Sequence, residues 1–189
     1  MGKYVIQATI HNLDKSIHIA HGVLVENKQG LLLWKIFRVC GIDGVSKYQK
    51  NWSYIGKNVY LSHCFPKWQI VKMNELGDST IVRQCDTIIN NNLRCTSKFC
   101  LFTAHSYLTL LHTYNQFYRC VFCEVDRKTL LPIRYSKPID FTEDTSYVEF
   151  PSGLFILNDL VYVGLGINDV ECKIIRIHKD VIDRYLAEY

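Results

Sequence analysis

The chain has 189 residues, of which 48% are hydrophobic and 21% charged, so its length fits one globular domain and its composition excludes a disordered chain. The net charge of +4 arises from 22 lysines and arginines against 18 acidic residues, and the basic residues are scattered, which excludes the clustered basic surface of a nucleic-acid-binding protein. No run approaches the roughly 20 apolar residues that span a bilayer, and the opening MGKYVIQATIHN lacks the apolar core of a secretory signal. We therefore expect a cytoplasmic protein with no nucleic-acid partner and no membrane partner.

Strand-length runs separated by turn residues follow one another along the chain. They are rich in Ile, Val and Tyr, which fit a pleated, half-buried surface. The first two sets are YVIQATI, IHIAHGVLV and LLLWKIFRV, then NWSYI, NVYLSHC, WQIVKMN and TIVRQC. The last two sets are KFCLFTA, YLTLLHTY, FYRCVFCEV and LPIRYSKPI, then VEFPSGLFIL, LVYVGLGI and CKIIRIHK. Glycine, asparagine and aspartate mark several of the turns between runs, as at 27–30, 55–58, 77–78 and 158–159.

A repeat of about 40 to 50 residues with up to four antiparallel strands is typical of a propeller blade. We therefore predict an all-β fold, a partial β-propeller of about four antiparallel blades in a single domain, with blades at about 3–45, 50–90, 94–140 and 146–179. A short C-terminal helix is predicted at about 180–188, because Val181, Ile182, Tyr185 and Leu186 fall on one helical face. A β-sandwich with irregular loops is the alternative.

Eight cysteines stand at positions 40, 64, 85, 95, 100, 120, 123 and 172. Without a secretory signal we expect them to be reduced and mostly buried thiols. Only Cys120 and Cys123 have metal-ligand spacing, and residues three apart in a strand point to opposite faces. We therefore expect no metal and no cofactor.

Four longer stretches have the pattern of a known kind of propeller: GKYVIQATIHN, KNWSYIGKNVYLSHCFPKWQIVKMNE, SYLTLLHTYNQFYRCVFCEVDRKTLLPIRYSKPI and VEFPSGLFILNDLVYVGLGINDVECKIIRIHKDVIDRYL. The third is similar to GYLLxYHxxxxxYRxGxxxLDxxxxxxxxRSxxPx, and the fourth to V(E/V)FPxGxxxxxDxLYVYYGxxDxxxxxAxxxLDxxLxxL. By these patterns the chain resembles the five-bladed β-propeller glycosidase superfamily, above all its β-mannoside phosphorylases and hydrolases and the related propellers attached to some glycosyltransferases. The resemblance covers nearly the whole chain and corresponds to the last four blades.

The resemblance implies a sugar site in the central funnel. Asp169 in GINDVEC matches the family carboxylate that hydrogen-bonds sugar hydroxyls, and a carboxylate can accept from two neighbouring hydroxyls at once. His112 in LLHTY matches a histidine that contacts phosphate or sugar, and Lys50 in KNWS matches a lysine that contacts phosphate. Arg94 in NLRCTS stands where relatives often place an arginine before a blade strand. Each position also has an ordinary interpretation: a turn for Asp169, the core or the surface for His112, and the surface for Lys50 and Arg94.

In the family, the general acid lies in an E-D-P-R segment just before the stretch that begins here at Lys3. We therefore expect the chain to lack that acid and the blade upstream of it. Acid catalysis needs a carboxylic acid beside the glycosidic oxygen, and most glycosidases need a second carboxylate about 5 to 9.5 Å from the first. Glu149 in VEFPSG, near the funnel in relatives, is the one replacement that the sequence offers.

Several functions are compatible with this resemblance. The first is a carbohydrate-binding or scaffold propeller that has kept the sugar contacts and lost the acid. The second is an active β-mannoside phosphorylase or hydrolase completed by a partner chain, and the third is a propeller that binds only proteins, since fold does not imply function. We expect the ligand to be a sugar or oligosaccharide, with phosphate in the case of phosphorolysis. We also expect an exposed sheet edge near Lys3 that a second copy or a partner chain covers, unless the four blades close more tightly.

Overall fold

The computed structural model describes residues 5–11, 17–42, 51–74, 78–86, 92–142 and 148–187. These residues form fifteen β-strands and one α-helix. The strands are β1 (Val5–His11), β2 (Ile17–Glu26), β3 (Leu32–Ile42), β4 (Ser53–Gly56), β5 (Val59–His63), β6 (Lys67–Met73), β7 (Asp78–Asp86), β8 (Arg94–Cys95), β9 (Cys100–Leu101), β10 (Ser106–Asn115), β11 (Phe117–Asp126), β12 (Pro132–Tyr135), β13 (Glu149–Leu157), β14 (Leu160–Ile167) and β15 (Glu171–His178). The helix α1 (Lys179–Ala187) follows directly. Within the described ranges, no helix is long and apolar enough to cross a membrane.

The described strands form three sheets of seven, five and three strands. We divide the seven-stranded sheet at its parallel pairing into two antiparallel units, and call the four successive units blades 1 to 4. Blade 1 comprises β1–β3, blade 2 comprises β4–β7, blade 3 comprises β8–β12 and blade 4 comprises β13–β15. The outermost strands of blades 1 and 2 join in one sheet, because Gly41 and Ile42 of β3 pair in parallel with Asp78 and Ser79 of β7. This arrangement confirms the predicted all-β partial β-propeller with a short C-terminal helix.

Blade 3 lies between two apolar interfaces. Its core with blade 2 includes Leu61, Trp68, Ile70, Leu93, Phe99, Leu111, Val121 and Val125. Its core with blade 4 includes Phe102, Leu108, Leu110, Phe122, Leu154, Val161, Val163 and Leu165. Because side chains alternate along a strand, Leu110 faces blade 4 while the adjacent Leu111 faces blade 2. The central strand of a middle blade must therefore be buried on both faces, which explains why every side chain of β10 from Leu108 to Thr113 is buried.

The cysteines of β11 follow the same alternation. Cys120 belongs to the core between blades 3 and 4, and Cys123 to the core between blades 2 and 3. This confirms the prediction that the two thiols point to opposite faces. The seven cysteines whose side chains are described are thiols, and most are buried, while Cys172 is exposed.

Two strand predictions in blade 3 are too long. The predicted strand at 98–104 is reduced to β9, because the N–H groups of Phe102 and Thr103 turn back to the carbonyl oxygen of Ser106. The predicted strand at 131–139 is reduced to β12, although Ile139 still donates to the Cys120 carbonyl oxygen. Pro138 lacks an N–H group and so cannot continue the regular ladder.

Helix α1 closes one end of the core between blades 3 and 4. Ile182 is fully buried and Leu186 is 1% exposed, as the predicted apolar face requires. Tyr185, on the edge of the same face, is 42% exposed. A short helix lying on a sheet buries a narrow stripe, and Tyr185 falls outside it.

Candidate functional site

A small cavity lies between blades 2 and 3. Its volume is about 150 Å³, and it is lined by Asn51, Ser62, His63, Cys64, Phe65, Leu93, Arg94 and Cys95. Blade 2 supplies one residue before β4, the last two residues of β5 and the two residues that follow β5. Blade 3 supplies both residues of β8 and the residue before it. Arginine, asparagine, histidine and serine provide hydrogen-bonding groups, and Phe65 and Leu93 provide apolar surface. Small-molecule sites also combine apolar walls with a few polar groups, although this cavity is smaller than most of them.

His63 is held in one orientation by its neighbours. Its Nδ1 atom lies 3.1 Å from Gln69 Oε1 and 3.2 Å from Ser62 Oγ. Gln69 in turn donates through Nε2 to Gln84 Oε1 at 3.2 Å, which leaves Gln69 Oε1 as an acceptor. Nδ1 therefore carries the proton of the neutral ring, and Nε2 is left as an acceptor.

The charge state of His63 follows from its surroundings. Burial lowers the pKa of His63, the hydrogen bond to Gln69 opposes that effect, and the positive charge of Arg94 lowers the pKa further. His63 is therefore neutral at pH 7. The cavity then holds one fixed positive charge among its lining residues, the guanidinium of Arg94.

Thiols form the buried wall of the cavity. Cys64 lies in hydrogen-bonding contact with Cys95, and the thiol of Cys123 is close to both. Burial raises the pKa values of Cys64 and Cys123 well above the ordinary range, so both remain protonated and poorly nucleophilic. No group of three His, Cys, Asp or Glu side chains in the described part of the chain is arranged to hold a metal ion.

Arg94 and His112 are neighbours but have different environments. Their Cα atoms are partners in the β8–β10 ladder, and Arg94 is exposed and lines the cavity. His112 is only 2% exposed, and its Nδ1 atom lies 2.5 Å from Thr96 Oγ1. Its ring packs 4.9 Å from the Phe150 ring and 5.7 Å from the Tyr118 ring, measured between centroids. His112 thus has the buried position that the sequence left open as an alternative.

Glu149 begins β13 and is fully buried. Its Oε2 atom accepts from the Phe141 N–H at 2.8 Å, and its Oε1 atom accepts from the Thr142 N–H at 2.9 Å. The Thr142 hydroxyl also donates to Oε1 at 2.5 Å. Both carboxylate oxygens therefore hold the segment before β13, and neither is turned to solvent.

Asp169 occupies an exposed turn between β14 and β15. Asn168 and Asp169 have φ values of 50° and 56°, and the Val170 N–H donates to the Ile167 carbonyl oxygen at 3.0 Å. These values are typical of a type I′ hairpin turn. Asn168 Oδ1 also accepts from the Val148 N–H at 3.1 Å, which fixes the turn at the end of blade 4 where β13 begins. This geometry agrees with the alternative prediction from the sequence, that Asp169 is a turn residue.

Of the candidate site residues predicted from the sequence, one lines the cavity in the described part of the chain. Arg94 does so, whereas His112 and Glu149 are buried elsewhere and Asp169 lies in a turn of blade 4. Lys50 lies outside the described residues. The sequence patterns did not predict Asn51, Ser62 or His63 as site residues. A signal was present in NVYLSHC, where two polar residues end an apolar strand.

No protein-family model matches the chain, and no curated protein matches it. Solved structures do match. A β-1,2-mannobiose phosphorylase from Listeria innocua in complex with β-1,2-mannobiose is 12% identical, with a TM-score of 0.63 over 97% of this chain and 60% of that chain. A candidate glycoside hydrolase from Parabacteroides distasonis is 14% identical, with a TM-score of 0.63 over 93% of this chain and 63% of that chain.

A third structure comes from a family of mannoside phosphorylases that contains glycoside hydrolases targeting β-1,2-mannosidic linkages in Candida mannan. It is 10% identical, with a TM-score of 0.55 over 91% of this chain and 64% of that chain. The chain therefore spans 60–64% of the length of these three proteins. At such low identity the likeness establishes the fold. The chain has the propeller fold of these glycoside hydrolases and mannoside phosphorylases, as its blade patterns predicted.

Proposed function

We propose that the chain is a carbohydrate-binding propeller whose sugar site is the cavity between blades 2 and 3. The observation that supports this most directly is the set of hydrogen-bonding groups of Arg94, His63 and Asn51 around a cavity that also has apolar walls. None of the residues described as lining the cavity is a carboxylate. The cavity therefore suits binding better than glycosidic bond cleavage, which needs a carboxylic acid beside the leaving oxygen.

The size of the cavity limits its ligand. A volume of about 150 Å³ corresponds to roughly five water molecules at about 30 Å³ each. We infer that the cavity accommodates one sugar unit of a larger glycan, or a phosphate group. The mannobiose complex of the Listeria protein and the mannan specificity in the other family make a β-mannoside the first ligand to test.

The lining groups complement a sugar. The guanidinium of Arg94 only donates hydrogen bonds, Nε2 of His63 accepts them, and the Asn51 amide does both. A sugar hydroxyl can donate and accept, so it can bridge two of these groups. The Phe65 ring and Leu93 can cover the apolar C–H face of a pyranose. Arg94 also suits a phosphate that binds together with the sugar.

Two of the remaining candidates belong to a wider site. Lys50 precedes Asn51 in the chain, so we keep it as a phosphate-contacting candidate. Asp169 is exposed at the end of blade 4 and is a candidate for contacts with further sugar units. His112 is only 2% exposed, so we assign it a structural role and no sugar contact. Glu149 would have to leave the Phe141 and Thr142 N–H groups before it could reach a ligand, so we assign it no catalytic role. The reduced thiols fit the reducing cytoplasm, to which we assign the protein.

Isothermal titration calorimetry tests the proposal. Mannose, β-1,2-mannobiose, glucose and N-acetylglucosamine are titrated with and without phosphate into the wild-type chain, Arg94→Ala and Asp169→Ala. One charge-assisted hydrogen bond contributes about 1.5 to 3 kcal/mol, so we expect Arg94→Ala to weaken sugar binding by roughly ten- to a hundredfold. Arg83→Ala is the matched control, because Arg83 is an exposed arginine of β7 that does not line the cavity.

Two results would contradict the proposal. Absence of binding to every sugar would contradict a carbohydrate function and favour a protein-binding propeller. Sugar binding that persists in Arg94→Ala but disappears in Asp169→Ala would place the site at blade 4. Phosphate-dependent cleavage of the disaccharide would instead favour the alternative of an active phosphorylase, one completed by a partner chain.

A further inference from the structure

One face of blade 4 is exposed and apolar. The opposite face packs on blade 3 through Leu154, Val161, Val163, Leu165 and Ile167. Because side chains alternate along strands, Phe155 and Ile174 point away from blade 3, and they are 51% and 77% exposed. Phe155 stays exposed although Lys98 Nζ lies 5.7 Å from its ring centroid. We call this exposed side the free face.

The strand register divides the free face into four rows of outward residues. They are Leu157–Leu160–His178, Phe155–Tyr162–Arg176, Gly153–Gly164–Ile174 and, in the fourth row, Gly166–Cys172. Phe150 is the β13 partner of Gly166, but its ring packs on His112 of blade 3. The fourth row therefore has no large side chain on the free face. The first two rows carry large side chains, and we call them the bulky half. The last two rows contain three glycines, and we call them the glycine half.

Packing within the chain does not explain two of these glycines. A Cβ atom at Gly153 would meet no atom within 4 Å, and one at Gly166 would lie 3.8 Å from the Phe150 carbonyl oxygen, which is an ordinary contact. Gly164 differs, since a Cβ there would lie 2.9 Å from Ser152 Oγ. Glycine inside a strand weakens the strand and often marks close approach by another backbone. The glycine half therefore points to a contact outside the chain.

We propose that the free face pairs with the same face of a second copy of this chain. The two-fold axis would lie between the two sheets and run across the strands, midway between the second and third rows. This operation lays the bulky half of each copy on the glycine half of the other. Phe155 then lies over Gly153 of the second copy, and Leu160 lies over its Gly166. The result is an isologous interface, in which one patch is its own complement.

The charges of the free face agree with this pairing. Arg176 is the one Lys, Arg, Asp or Glu residue in the four rows. The two-fold axis places it over Ile174 of the second copy, where its aliphatic stem can pack and its guanidinium can reach water. His178 lies over Cys172 of the second copy. No two like charges of the four rows therefore face each other.

The size of the face sets the strength of the dimer. Four rows of three strands measure about 26 Å by about 14 Å from standard strand spacings. The two copies together then bury less than the roughly 1,200 Å² at which stable interfaces begin. The dimensions give roughly 730 Å² for both copies, so we expect a weak, reversible dimer that is populated only toward submillimolar protein concentration.

Sedimentation velocity of the full chain from low micromolar to submillimolar concentration tests the pairing. The wild-type chain should shift from monomer to dimer. Gly153→Val should fold at least as stably as the wild type, because its side chain enters open space. It should weaken dimerisation at least tenfold, because that side chain occupies the space over Gly153 that Phe155 of the second copy needs. Tyr162→Glu should act in the same direction. Ile133→Glu is the control, since Ile133 is 51% exposed on blade 3, and it should leave the dimer unchanged.

A cross-link tests the register. In the His178→Cys variant, a short bis-maleimide that spans the roughly 10 Å between stacked sheets should link the introduced thiol of one copy to the Cys172 thiol of the other, each thiol adding across one maleimide double bond to form a thioether. The two positions in one copy are six residues apart along a strand, about 20 Å, which is too far for an intrachain link by the same reagent. Adding Cys172→Ser should abolish the cross-link. A wild-type chain that stays monomeric, or a dimer lost in Ile133→Glu but kept in Gly153→Val, would overturn the proposal.

Discussion

The two interfaces of blade 3 bury different chemistry. The interface with blade 4 is largely aliphatic, its buried carboxylate Glu149 has hydrogen bonds to both oxygens, and helix α1 covers one end of it. The interface with blade 2 contains three buried thiols against two in the other interface, and the buried hydroxyl of Tyr135 makes no hydrogen bond of normal geometry, although it lies close to the Cys123 thiol. Both interfaces have a buried apolar core, and the second one also adjoins a cavity lined by polar groups.

The largest expected effect concerns Glu149. Glu149→Leu removes the acceptor of two backbone N–H groups and one hydroxyl, so we expect unfolding free energy to fall by about 3 to 5 kcal/mol. Glu149→Gln should lose less, because one carbonyl oxygen remains to accept. Urea unfolding measures both. Glu171→Leu, which replaces an exposed glutamate of the same blade, is the control and should change stability by about 0.5 kcal/mol or less. Equal losses of unfolding free energy in Glu149→Leu and Glu171→Leu would mean that the buried hydrogen bonds of Glu149 do not stabilise the interface with blade 4.

A smaller effect is expected where blade 3 holds the helix. Arg134 donates through Nε to Glu124 Oε2 and through Nη2 to Asp183 Oδ1, each at 2.6 Å. The side chain of Glu124 is only 7% exposed, whereas that of Asp183 is 59% exposed. Arg134→Met leaves the Glu124 charge buried without this partner, so we expect a loss of about 2 kcal/mol in urea unfolding.

Asp183→Asn separates the two ion pairs of Arg134. It removes only the exposed pair, so we expect a loss of about 0.5 kcal/mol or less. If Asp183→Asn destabilises the chain as much as Arg134→Met, the main link is between strand and helix. In that case the buried Glu124 is not the reason for the loss.

The fold was predictable because its signals are local and repeated. Turn residues at regular intervals and apolar runs such as YLTLLHTY already indicate a middle blade buried on both faces. Strand lengths in β9 and β12 were not predictable from these runs. They depend on turns made by Phe102 and on the missing N–H of Pro138.

The candidate site was much less predictable. Family patterns led to Glu149 and His112, two polar residues whose long-range partners bury them. Nothing within VEFPSG or LLHTY indicates that Phe141, Thr142 and Thr96 bind those side chains. His63 was missed for the same reason, since its role depends on Gln69 of the next strand and Arg94 of the next blade. Patterns along the sequence predict elements, while contacts between elements decide which polar groups stay available.

The smallest expected effect tests the electrostatics of the cavity through His63. Burial and the Arg94 charge hold the pKa of folded His63 below its ordinary value of 6.5. Between that lowered pKa and 6.5, the unfolded chain binds more protons at this residue than the folded chain. The His63 contribution to stability is therefore fully present above pH 6.5 and is lost as pH falls through the folded pKa.

Urea midpoints measured from pH 5 to pH 8 for wild type and His63→Gln isolate this contribution, because other titrating groups cancel in the difference. The wild-type advantage should rise with pH up to about 6.5 and then stay level. The same comparison for His105→Gln, an exposed histidine of blade 3, is the control for histidine replacement. In an Arg94→Ala background the rise should lie at higher pH, within a narrower window, because one cause of the lowered pKa is gone. A difference that does not change with pH would mean that His63 titrates alike in both states, and the cavity would then lack the electrostatic character assigned to it.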